Sequence, residues 1–490
     1  MTGETLIQWA LDLPFLGALG IAAAWRHPNL REGVTLVVAG LLCAIVVLNL
    51  LPMVRAGERP EWLAAEVFDG IELAFRIEPL GMLFACIAST LWIVNSIYSI
   101  GYMRGNDEPR QTGFYVCFAV AIGSAMGIAF AGNLFTLFLF YELLTVSTYP
   151  LVAHKGSEDA RVNGRIYIVL LMATSMTLLL PAIVWTYVAA GTADFTPGGI
   201  LAGAGIGGGA LVALMLMYVF GIGKAAVMPV HFWLPAAMVA PTPVSALLHA
   251  VAVVKAGVFT VIKVMVYVFG LDFLAETGVG RPVVYLAGAT VLIASIVALM
   301  QGNLKKRLAF STVSQLSYVV MAAAVAHPAA LAGAVLHMAT HAVSKITLFF
   351  AAGSIYTAAH KTEIGQLDGI GRRQPWTMAA FGIGALAMIG LPPTAPFASK
   401  WFMLEGYMSQ TDWFAVCVIV ASTCLNAAYF LPIVWAAFWR APPEEAHPHG
   451  EAPFPVVFAL TLTAAGTILL FLYPGVPIEL ARAMLAEGAE

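Results

Sequence analysis

The sequence predicts an all-α polytopic membrane protein of about fourteen transmembrane helices, containing two inverted five-helix repeats. Three observations carry that prediction. Of 490 residues, 60% are hydrophobic and only 10% charged, whereas a soluble domain carries about 25% charged residues. Such a chain cannot cover a water-facing surface, so a soluble enzyme is excluded. Apolar runs of roughly 20 residues, the length that spans a bilayer, recur along the chain. Two of these runs, five apart in order, are long and interrupted by proline.

The runs fall at 5–25, 33–53, 79–101, 113–131, 133–153, 166–190, 210–240, 243–270, 282–301, 308–326, 329–357, 375–403, 413–439 and 453–473. The first has Glu4 before it, Asp12 within it and no basic leader, so it reads as a span and not a cleavable signal. The seventh carries Pro229 and Pro235, the twelfth Pro392, Pro393 and Pro396. Proline removes a backbone hydrogen bond that lipid cannot replace, so such breaks are tolerated only against protein or a wet cavity. The expected organisation is 1–112 for spans 1–3, 113–270 for a repeat of spans 4–8, 271–440 for a repeat of spans 9–13, and 441–490 for span 14 and tail. Five spans is an odd number, which inverts the second copy.

Loops on one side hold fourteen Lys and Arg, those on the other five. The positive-inside rule then puts both termini on the non-cytoplasmic side of a cytoplasmic (inner) membrane. The five cysteines form no CxxC or Cys/His zinc spacing. No phosphate loop, dinucleotide fingerprint, haem CxxCH or iron–sulfur run is present, so neither a cofactor nor a metal is expected. A net charge of −3 with no basic tail argues against nucleic acid.

The placement of charge is the most informative feature. Five of nine lysines (Lys224, Lys255, Lys263, Lys345 and Lys400) lie within apolar runs, while all fifteen arginines fall in loops or near span ends. A cation at a helix centre costs roughly 2.5–3.5 kcal/mol on insertion scales. Lysine, unlike arginine, can lose its proton when desolvated, so this asymmetry fits sites that load and release protons. Glu142 supplies a lone carboxylate in LFTLFLFYELL, with Lys224 as its expected partner. His249 and Lys255 are six residues apart, on different faces of span 8. His337, His341 and Lys345 recur at i, i+4 and i+8, on one face of span 11, where histidines could relay protons or simply bond helices together. Lys263 reads equally as a snorkelling residue near a span end, His231 as a prop for the helix break.

The stretches HFWLPAAMVAPTPVSALLHAVAVVKAGVF (His231–Phe259), LKKRLAFSTVSQLSYVV (Leu304–Val320) and HMATHAVSKITLFFAAGSI (His337–Ile355) resemble the antiporter-like membrane subunits of respiratory complex I and of Mrp sodium/proton antiporters. The resemblance runs from about Gly113 to Met408. It implies fourteen helices with two inverted repeats, and proton-transfer roles for Glu142, Lys224, His249, Lys255, His337, His341, Lys345 and Lys400. Lysine at position 400 and the chain length look like the Mrp D-type subunit. The loop AAMVAPTPVSALLHA looks more like the L/A type. Arg165 stands where the family often has a lysine.

The resemblance implies a proton-translocating subunit of a larger complex, of Mrp type and exchanging Na⁺ for protons. Its partners would be other membrane subunits within the lipid bilayer. The alternative is the proton-pumping arm of a complex I-type oxidoreductase or membrane-bound hydrogenase. In either case any redox chemistry would belong to other chains.

Overall fold

The computed structural model describes residues 2–68, 71–442 and 450–487, with the side chains of Phe68, Ile71 and His249 outside the description. Among the described residues, ten helices are long and apolar enough to cross a membrane, eleven if one bent pair is a span. The ten are α1 (Gly3–Ala23), α2 (Pro28–Arg55), α3 (Pro79–Gly105), α4 (Gln111–Phe130), α5 (Leu134–Val152), α6 (Glu158–Ala190), α11 (Arg281–Met300), α13 (Pro328–Ala359), α16 (Trp413–Trp439) and α17 (Phe454–Leu472). The bent pair is α9 (Val253–Phe269) and α10 (Leu271–Thr277), which meet at 80° at Gly270, where φ is +87°.

The remaining helices are short or polar: α7 (Gly208–Gly221), α8 (Thr242–Ala246), α12 (Leu304–Ala324), α14 (Pro375–Ile389), α15 (Pro396–Ser409) and α18 (Gly475–Glu487). α7 and α14 are apolar but too short to span alone, whereas α12 is long enough but polar. In α12, 17 of 21 residues are buried, so its serines and Gln315 face neighbours and not lipid. Starts are set locally. Asn133, Ser157, Asn303 and Asp412 accept hydrogen bonds from the first turns of their helices, and proline opens α2, α3, α13, α14 and α15.

One element departs from the all-α expectation. Strands β1 (Glu61–Phe68) and β2 (Ile71–Arg76) pair antiparallel, with Glu61 opposite Arg76, and Trp62 stacks on Phe75. The hairpin rests on the start of α5, where Asn133 Nδ2 donates to Glu72 O at 2.8 Å. On the same face, α18 is held by an Arg55–Glu479 ion pair at 2.9 Å and by Arg59 on Glu487.

Two proline-bearing stretches interrupt the helices. The α-helix stops at Gly221, is followed by a single 3-10 turn at Gly223–Ala225 and resumes as a short turn at Trp233–Ala236. It stops again at Ile389 and resumes at Pro396. At the centre of the bundle α13, with 24 of 32 residues buried, packs on α3, α12, α14, α15 and α17.

Candidate proton-transfer site

Each break presents a lysine to the interior. Lys224 follows α7 in a single 3-10 turn and is 0% exposed. Its Nζ donates to Tyr141 O at 2.8 Å and Thr145 Oγ1 at 2.6 Å, lying 3.1 Å from the centroid of the Tyr141 ring. The turn is pinned by Trp233 Nε1 donating to Gly223 O at 2.9 Å. Helix α9 passes directly behind it at Gly257, where a Cβ would overlap the backbone of Lys224 and Ala225. Lys400 enters from the second break. Its Nζ donates to Met388 O at 2.9 Å and Ile389 O at 3.0 Å, carbonyls of the last turn of α14 that lack helical partners. The negative end of that helix favours a cation there.

Between the breaks runs a buried relay. Lys255 Nζ on α9 lies 2.5 Å from His341 Nδ1. His341 and His337 stack one turn apart on α13 with ring centroids 5.6 Å apart. His337 Nδ1 is 2.8 Å from Ser399 Oγ, and its Nε2 is 3.1 Å from Gln315 Oε1. Ser399 is the neighbour of Lys400 in sequence. Lys345 continues the α13 stripe, fully buried, with Nζ 5.8 Å from the Phe430 ring centroid.

The structure thus brings Lys255, His341 and His337 into one line that ends at Ser399, with Lys400 the next residue of α15, and it adds Ser399 and Gln315, which sequence reasoning did not single out. The side chain of His249 lies outside the described residues; its backbone belongs to the wide turn Leu247–Val251 between α8 and α9.

Two expectations need correction. Glu142 and Lys224 form no ion pair among the described residues: the ammonium is satisfied by Tyr141 and Thr145, and neither Glu142 oxygen has a hydrogen bond. Tyr141 and Thr145 share the face of α5 that meets the break and supply the atoms the ammonium reaches, while both Glu142 oxygens are buried one residue along the helix without a hydrogen bond. Lys263 does not snorkel. It is fully buried, 2.9 Å from Glu78 Oε2.

At the end of α3 far from the hairpin, a cavity of about 280 Å³ is lined by Tyr102, Lys155, Asp159, Thr242, Lys305 and Lys361. Beside it, burial pushes the Glu108 carboxyl above its usual range, against the opposing pull of Lys155 and Lys305. Lys361 at the rim is pushed down by burial and by Arg373, with Asp368 opposing. No group of three or more metal-ligating side chains occurs among the described residues.

The family described as NADH:quinone oxidoreductase/Mrp antiporter, TM, matches residues 131–426. NADH-quinone oxidoreductase subunit N of Desulforudis audaxviator (strain MP104C) is 31% identical over 407 residues, covering 82% of this chain and 77% of that protein. Other curated relatives are longer, the chain spanning 50% and 44% of two of them. Among solved structures, a chain of the Mrp complex from Dietzia sp. DQ12-45-1b superposes with a TM-score of 0.89 at 21% identity, covering 99% of this chain and 97% of that one. A chain of the membrane-bound sulfane sulfur reductase (MBS), an archaeal respiratory membrane complex, superposes at 0.87 and 22% identity, covering 99% and 98%.

Proposed function

The chain belongs to the NADH:quinone oxidoreductase/Mrp antiporter membrane family, and from that premise we propose that it is a proton-translocating subunit of a larger membrane complex. The observation that carries the proposal is the buried relay from Lys255 through His341 and His337 to Ser399 and Lys400. Lysine and histidine are the side chains that can take up and lose protons in such a setting, and no arginine interrupts the line. Protons would pass along Lys224, His249, Lys255, His337, His341, Lys345 and Lys400, with water bridging the gaps between side chains.

In this reading the four polar or broken segments complete fourteen spans with the ten apolar helices. The two breaks, at 222–232 and 390–395, mark corresponding points of inverted repeats within 113–270 and 271–440. Loop charge puts both termini on the non-cytoplasmic side of the inner membrane. Glu142, its carboxylate buried one residue along α5 from Tyr141, would couple movement of a neighbouring subunit to the seat of Lys224. The assembly is of Mrp type, exchanging Na⁺ for protons, with Lys400 and chain length favouring the D subtype.

A second reading is favoured by one observation, the 31% identity to an NADH-quinone oxidoreductase subunit N. There the same relay would be driven by electron transfer on other chains. Mass spectrometry of the gently extracted native complex, followed by Na⁺-dependent proton flux in membrane vesicles, separates the two. Small membrane partners and sodium-dependent flux are expected. Redox subunits and sodium-independent pumping would overturn the antiport reading in favour of the second.

A further inference from the structure

The most buried ion pair among the described residues lies outside this relay. Lys263 and Glu78 are both buried, with Nζ 2.9 Å from Oε2. Lys263 Nζ also donates to Ala131 O at 2.6 Å, just past the end of α4, and lies 4.3 Å from the Phe195 ring centroid. Glu78 precedes the first turn of α3, so the pair sits at the hairpin face of the bundle. Lys263 is on the same helix as Lys255, eight residues on, which is about 12 Å by helical rise. Beyond it, Tyr267 OH donates to Glu487 Oε2 at 3.2 Å, and Arg59 pairs with Glu487. The charged groups facing the pair are therefore Arg76 from β2, Arg59 from the segment before β1, and Glu487 from α18.

We propose that Lys263, held by Glu78, is a proton-release station that joins the Lys255 end of the relay to the hairpin face beneath the C-terminal helix α18. This rests on the proton-transport reading above. The Lys263 ammonium gives a proton outward, past Tyr267 toward Glu487, and becomes a neutral amine. A proton arriving from Lys255 restores the ammonium, so one proton enters for each that leaves and no charge accumulates. Glu78 positions the step, because its carboxylate draws the proton to Lys263 and re-forms the ion pair. Stability alone is a poor reason for the pair, since well-packed apolar residues of similar volume serve as well or better than a buried ion pair.

The test is proton flux by the whole complex in membrane vesicles, alongside its assembly level. Lys263→Arg keeps the charge and the ion pair but cannot release a proton at working pH. The expected result is normal assembly with flux down at least tenfold. Wild-type flux in Lys263→Arg would overturn the station. Should that variant fail to assemble, the apolar double variant Glu78→Leu/Lys263→Met decides: assembly without flux supports the station, and wild-type flux overturns it. A wild-type complex that moves no protons would instead overturn the transport reading itself, so the two failures are distinguishable.

Discussion

The two interrupted helices hold their lysines by different means. Lys224 and Lys400 each follow the C-terminal end of a broken helix, each lies over a tyrosine ring (Tyr141 at 3.1 Å, Tyr318 at 5.1 Å), and each is seated by a glycine, Gly257 or Gly390. Lys400 bonds to carbonyls of its own broken helix, so its environment travels with it. Lys224 bonds to a carbonyl and a hydroxyl of α5, a neighbouring helix that also carries the buried carboxylate of Glu142. A movement of α5 therefore disturbs Lys224 directly, while Lys400 keeps its two hydrogen bonds within its own broken helix and meets α12 only through the Tyr318 ring. The first lysine is held by another helix, the second by its own.

The comparison can be broken most severely at the residue that joins the halves. Lys255→Met removes the contact with His341 and is expected to abolish proton flux, at least a hundredfold, with assembly intact; residual flux above a tenth would mean the halves communicate elsewhere. Next, Thr145→Val removes one of two hydrogen bonds to the Lys224 ammonium. Bonds to charged groups are worth about 1.5–3 kcal/mol, so a loss of roughly tenfold or more in flux is expected, and an unchanged rate would remove α5 from the gating account. Ser399→Ala deletes only the hydroxyl that bonds His337 Nδ1, where water can substitute, and a loss of a few-fold is expected in the same assay. The smallest effect falls on the seats. Gly257→Ala drives a methyl into the Lys224 backbone, where overpacking costs about 1–3 kcal/mol. It should lower the thermal midpoint of the purified complex more than an alanine at the solvent-open Gly203 does.

Much of this site was legible in sequence because burying charge in lipid is costly and therefore selective. Lys224, Lys255, Lys345 and Lys400 all lie in the protein interior, and the i, i+4 spacing of His337 and His341 does place them on one face. What escaped was information the sequence carries weakly. Ser399 and Gln315 are neutral polar residues common in membrane helices, and only their hydrogen bonds distinguish them. Backbone carbonyls such as Tyr141 O and Met388 O have no sequence signature at all. For Glu142 the sequence showed a carboxylate in an apolar run but not which atoms the Lys224 ammonium reaches, which are Tyr141 O and Thr145 Oγ1. Glu78 lay just before an apolar run and passed as a loop residue. The hairpin had a signal that went unused, the dipeptide Asp69–Gly70 between two short alternating segments.

His337 and His341 share one helix, α13, while three of their side-chain partners come from three others: Lys255 from α9, Gln315 from α12 and Ser399 from α15. The relay is thus a circuit wired in series through a single moving part. Sliding α13 along its axis by one residue's rise, about 1.5 Å, opens all three joints at once, whereas displacing any one partner helix opens only its own. In a series line the loss of any one joint stops transfer, so α13 differs from its partner helices in carrying all three joints, not in the consequence of losing one.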